Sequence, residues 1–163
     1  MPFPRRRSVP ATVKALRLPP GERRTTWGLT VDGEPVVATD VALVLPGDRR
    51  LEWSQVERAT WQPPRLTVLE VAEVAGAGRR HVLDLDDVGD LPQVVRARVT
   101  GSVAWSSHEK LTPAGGVRVV GRRVAGERTL RWQLVFDAGT DRDDPLVRAQ
   151  ADDLLEGARR SIG

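Results

Sequence analysis

The sequence predicts an α+β fold, mainly β: a small N-terminal β-barrel capped by a helix, then three antiparallel strands and a C-terminal helix. Three observations predict it. Between Arg23 and Leu85 the chain holds about seven short apolar runs broken by turn signals, a spacing that suits a small antiparallel barrel or sandwich. Asp90-Leu91-Pro92-Gln93 and Asp144-Pro145 are both helix starts, each with an acid that can cap and a proline that the first turn tolerates. Residues 129–137 carry the cleanest alternation in the chain, with Leu130, Trp132, Leu134 and Phe136 on one face and Arg131 and Gln133 on the other.

The elements follow in order. Residues 1–20 place Arg5, Arg6, Arg7, Lys14 and Arg17 among prolines, and no acid precedes Glu22. They read as a basic flexible arm that joins the fold near Leu16 or Leu18. Residues 23–31 alternate, with Thr25, Trp27, Leu29 and Val31 on one face and Arg24, Thr26 and Thr30 on the other. Asp32-Gly33 is a hairpin turn, because glycine takes positive φ without penalty. Strands at 35–39 and 41–45 follow, and Pro46-Gly47-Asp48 turns the chain into residues 49–53, where Leu51 and Trp53 keep strand spacing. Residues 56–61 form the next strand. Gln62-Pro63-Pro64-Arg65 ends it, since proline cannot donate to a sheet ladder.

Residues 66–74 and 80–85 read as strands joined by a turn at Gly76-Ala77-Gly78. The helix that Asp90 opens has Gln93 at the capping-box position and an apolar stripe of Leu91, Val94, Val95 and Val99. Strands at 103–111, 117–124 and 129–137 come next, and the final helix buries Val147, Ala151, Leu154, Leu155, Ala158 and Ile162. The chain therefore divides into an arm at 1–20, a barrel plus helix at 21–101, and a β-β-β-α extension or second subdomain at 102–163.

Several short motifs carry a resemblance. Pro20-Gly21-Glu22 opens the first strand, Val36-Val37-Ala38-Thr39-Asp40 ends in Thr-Asp, Ala42-Leu43-Val44-Leu45 follows, and Leu51-Glu52-Trp53-Ser54-Gln55-Val56 makes a Glu-Trp-x-x-Val step. In this order they resemble bacterial pleckstrin-homology-like (PH-like or GRAM-like) domains over about residues 15–101. The resemblance implies a seven-stranded barrel whose following helix plugs one end. Some PH-like domains bind phosphoinositides through basic residues in an early hairpin loop. Here that loop is Asp32-Gly33-Glu34, which is acidic and counts against a lipid headgroup. The chain as a whole resembles proteins of high-GC bacteria, a likeness that names no activity.

Composition narrows the classes. The chain of 163 residues is 40% apolar and carries a formal charge of +3. It has no run of about 18 apolar residues, so no membrane span is expected. Met1-Pro2-Phe3-Pro4-Arg5 lacks the apolar segment of a secretory signal. Without cysteine there is no disulfide, thiol nucleophile or thiolate metal site, and the cytoplasm is the expected compartment. Nearly all the basic residues are arginine, which fits a GC-rich genome and is weak evidence for phosphate binding.

The candidate chemistry is sparse. Ser106-Ser107-His108 puts hydroxyls beside an imidazole, but neighbouring strand residues face opposite ways and only Ser106 shares a face with His108. The acidic knots at Asp84, Asp86 and Asp87 and at Asp141, Asp143 and Asp144 lack the calcium-loop pattern and read as strand-end and capping residues. No phosphate loop is present, because Gly76-Ala77-Gly78-Arg79-Arg80 does not open a helix. The best candidate surface is an arginine-rich sheet face. Arg118 and Arg122 share one side of their strand, Arg131 and Gln133 lie on the next, and Trp105 could add stacking. The plainer reading is an ordinary solvated sheet face.

The expected function is that of a non-enzymatic binding module, with a protein partner taken through a PH-like barrel edge or by forming a homo-oligomer. The alternative is nucleic-acid binding by the arginine face and the basic arm. No cofactor and no metal are expected. An enzyme would need His81, His108 and several of the aspartates to converge in a cleft.

Overall fold

The computed structural model describes residues 6–72 and 78–162. The fold is α+β and mainly β. Seven antiparallel strands form the larger sheet: β1 (Arg24–Thr30), β2 (Pro35–Thr39), β3 (Ala42–Leu45), β4 (Arg49–Glu52), β5 (Val56–Gln62), β6 (Arg65–Glu70) and β7 (Arg80–Asp87). Their order is β4-β3-β2-β1-β7-β6-β5. The strand at 66–74 ends earlier than expected, at Glu70, and residues 73–77 of the turn after it lie outside the described residues.

The sheet folds over on itself. Leu43 and Leu51 from one end and Val56, Leu66 and Val68 from the other meet in one core. The helix α2 (Leu91–Gly101) adds Leu91, Val95 and Val99 to it. A 3-10 turn at Trp53–Gln55 joins β4 to β5, so Trp53 leaves the strand yet stays buried. Across the seam Arg49 reaches Glu70 with a bidentate ion pair, Nη2 to Oε1 at 2.7 Å and to Oε2 at 3.0 Å. Burial pushes the Glu70 carboxyl up, but hydrogen bonds from His81 and Arg49 outweigh it and hold the group below its ordinary value.

Gly28 lets α2 come close. A Cβ there would lie 2.8 Å from Leu91 Cδ2 and 3.0 Å from the carbonyl oxygen of Asp87. Asp90 stands at the N-terminus of α2 but does not cap it, because its carboxylate accepts the Thr26 hydroxyl instead. Asp144 does cap its helix, accepting the Leu146 N–H at 2.8 Å.

The outer face of β1–β3 carries a second apolar cluster. Trp27 pairs with Val37 and Val37 with Val44, a row across three strands. Val13 seals the row and is 1% exposed. It comes from α1 (Ala11–Lys14), a single turn inside the segment expected to be a free arm. Arg7 continues the cover. Its guanidinium stacks 3.8 Å from the Trp27 ring centroid, donates to the Trp27 carbonyl at 3.1 Å and pairs with Asp87. Among the described residues the attachment therefore reaches back to Arg7, ahead of Leu16. The apolar alternation of β1 faces this cover, and the barrel interior takes the opposite parity, where Gly28 meets Leu91.

The smaller sheet has the order β10-β9-β8, from β8 (Val103–Lys110), β9 (Gly116–Arg123) and β10 (Leu130–Phe136). The final helix, α3 (Pro145–Ile162), lays Val147, Ala151 and Leu154 on Val117, Leu134 and Phe136. Ile162, expected in the buried stripe, is exposed in the last turn. No helix among the described residues is long and apolar enough to cross a membrane.

Candidate functional site

The register divides the predicted surface between two faces. Arg122 lies opposite Arg131, Val120 opposite Gln133, and Arg118 opposite Val135, so the arginines and Gln133 share one face of the smaller sheet. Trp105 pairs with Gly121, which pairs with Trp132, and this row faces the other way. Trp105 and Trp132 meet edge to face there, 5.6 Å between centroids, over the space that Gly121 leaves.

The arginine face is not a solvated one at its centre. Arg122 is 4% exposed and Gln133 6%. Arg122 points into the joint between the two sheets and α2. It donates to Ser102 Oγ at 2.7 Å, the Val99 carbonyl at 3.1 Å, the Glu57 carbonyl at 2.9 Å and Gln133 Oε1 at 3.3 Å. Burial lowers the guanidinium pKa while the Glu57 carboxylate pulls the other way. Burial pushes Glu57 up in turn, against the guanidinium groups of Arg58, Arg122 and Arg142. Arg122 thus fastens the extension to the barrel. Arg118 remains exposed and Arg131 is half-buried, so the five predicted residues do not make one surface.

The histidines stand apart. His81, in β7, is 2.7 Å from Glu70 Oε1, and His108, in β8, is 2.7 Å from Asp137 Oδ2 in the other sheet. Asp84 is taken by Arg65 at 2.8 and 3.1 Å, and Asp141 accepts the Asp143 N–H at 3.1 Å. Among the described residues no group of three His, Cys, Asp or Glu is placed to hold a metal ion.

The sequence reading missed the surface beside β5. This strand ends the large sheet, so one of its edges has no strand partner among the described residues. The edge runs next to α2, and between them lies a groove of about 430 Å³ with Trp61, Leu66 and Pro92 among its walls. Ala59 and Arg96 also line a second hollow of about 290 Å³, which continues past Arg58 and Thr100 to Arg122. Arg58 and Arg96 are exposed along this path. The alternation of Ala59 and Trp61 marked a half-buried strand, but nothing local marked it as the end of the sheet. A larger groove, about 630 Å³, lies where the β9–β10 hairpin meets the end of α2 and the turn at Trp53. No known protein family, curated protein or solved structure matches this chain.

Proposed function

We infer that this chain is a non-enzymatic cytoplasmic binding module on a PH-like barrel, and that it takes an extended segment of a protein partner along β5. One observation carries the reading: beyond Glu57, whose carbonyl Arg122 takes, the last strand of the large sheet has an edge with no strand partner among the described residues, beside a groove with an apolar floor and exposed arginines. An open edge offers backbone hydrogen bonds, and the pockets next to it select alternate side chains. Support for the PH-like reading comes from the strand order β4-β3-β2-β1-β7-β6-β5 followed at once by a core-packed helix. The nucleic-acid reading keeps only Arg118 and Arg131 of its sheet face, since Arg122 and Gln133 are spent in the joint.

Selection from a library of random peptides tests this. The wild-type protein should enrich a shared extended motif, and an Arg58→Glu, Arg96→Glu variant should not retain it. Failure of the wild-type protein to enrich any motif would sink the reading. Salt-sensitive binding of labelled duplex RNA or DNA in a parallel titration would replace it with the nucleic-acid one.

A further inference from the structure

The geometry points to a second site, for a zwitterionic α-amino acid with an apolar side chain, in the groove of about 630 Å³ between the barrel and the β9–β10 hairpin. Its volume is in the range of small-molecule sites, and such sites favour junctions between packed units.

The walls differ in sign. Asp40 and Glu52 line the groove from the barrel, while Arg98 lines it from α2 and Arg123 and Arg128 from the hairpin side. Arg123 is committed to the carbonyls of Gly101 at 3.1 Å and Val103 at 3.2 Å. Arg98 and Arg128 form no ion pair or side-chain hydrogen bond among the described residues. Glu127 also sits on the hairpin, where its carboxylate accepts the Thr129 hydroxyl at 3.3 Å. Asp40 accepts the Arg23 N–H at 2.8 Å and Glu52 the Gln55 N–H, bonds that leave both carboxylates charged. A simple anion entering the groove meets Asp40 and Glu52, and a simple cation meets Arg98 and Arg128. A ligand with an ammonium at one end and a carboxylate at the other satisfies both walls.

Two further features fit this ligand. Trp53, Val41 and Leu130 give the groove an apolar side that an amino-acid side chain can cover. Ser54 lines the groove as well, and its hydroxyl is buried with no hydrogen-bond partner among the described residues. Leaving a buried hydroxyl unpaired costs free energy, and a ligand carboxylate or ammonium would supply the missing partner.

The test is an amide NMR titration of the whole chain with L-phenylalanine, N-acetyl-L-phenylalanine and L-phenylalaninamide. The first is a zwitterion, the second only an anion and the third only a cation. The expected result is a saturable shift at Ser54, Arg98 and Leu130 with L-phenylalanine alone. Arg98→Gln and Ser54→Ala should each weaken it about tenfold while both variants unfold at the wild-type temperature or above. Arg98→Gln changes a half-buried side chain that forms no ion pair or side-chain hydrogen bond among the described residues, so it removes the charge without breaking a polar contact of the fold. The proposal is overturned by no saturable shift up to about 10 mM, a bound of negligible affinity. Equal binding of either blocked form, or shifts mapping elsewhere, would also overturn it.

Discussion

The indole N–H of Trp53 donates a 3.1 Å hydrogen bond to the carbonyl oxygen of Thr39. The Thr39 hydroxyl accepts the Ala42 N–H at 2.8 Å and donates to Glu22. Arg50 holds that same carboxylate with two bonds of 2.7 and 2.6 Å. The Pro-Gly-Glu opening, the Thr-Asp strand end and the Glu-Trp step therefore meet in one knot. Their spacing in the sequence reflects how the barrel is tied.

Replacing Trp53 with Phe keeps most of the ring and removes the donor. The Thr39 carbonyl is then left buried without that partner, and the loss should be about 1–2 kcal/mol in urea unfolding. Glu22→Gln should cost more, about 2–3 kcal/mol, because the Glu22 side chain is 3% exposed and its removal strands Arg50.

Arg122→Met should be among the most damaging single changes. It leaves oxygens of Ser102, Val99, Glu57 and Gln133 without their donor, for a loss of about 3 kcal/mol. Hydrogen exchange should quicken most in β8–β10 and less in the barrel strands. Uniform quickening would show that Arg122 does not fasten one sheet to the other.

Gly121 is a packing position. An added Cβ would lie 2.9 Å from Leu130 Cδ1 and 3.1 Å from the Trp132 ring. Gly121→Val should cost about 1–3 kcal/mol from overpacking. It should also diminish the near-ultraviolet circular dichroism of the Trp105–Trp132 pair, which Arg118→Gln should leave alone.

Two glutamates should respond to pH in opposite senses. The Glu70 carboxyl is held below its ordinary value in the folded state, so its contribution is present above the unfolded pKa and lost as pH falls through the folded one. Glu57 is raised, so its contribution is present below the unfolded pKa and lost as pH rises through the folded one. At neutral pH Glu57→Gln should therefore be slightly stabilising, by less than about 1 kcal/mol once solvent screening is counted. Glu70→Gln should destabilise. Both differences should shrink in urea titrations repeated toward about pH 3, below the usual carboxylate range.

Most of the element order was legible because periodicity and turn chemistry are local. The strand at Leu130–Phe136, the Asp32-Gly33 turn and the Asp144 cap stand as read, although the residue that strand buries most is Gln133 and not one of its apolar face. What escaped depended on distant partners. Arg122 could be placed on a face from the sequence, but its cover is partly the Glu57 carbonyl, 65 positions away. Asp90 had the right spacing for a cap, yet a threonine 64 positions back claimed it. One signal was present and unused. The runs Val36-Val37-Ala38 and Ala42-Leu43-Val44-Leu45 do not alternate, which in a sheet means that both faces are covered. The chain that covers the outside of those strands is the N-terminal segment, through Val9, Val13 and Leu16.

That cover makes the composition boundary a poor place to cut. A fragment beginning at Gly21 would retain every strand of the large sheet but lose Val13 and Arg7. The Trp27–Val37–Val44 row would then face water as an apolar stripe running across neighbouring strands. Such a shortened chain should be sticky and should pair through that stripe, and a dimer seen with it would be an artefact of trimming. Residues 7–16, which look dispensable by charge and proline content, act as the outer skin of the barrel.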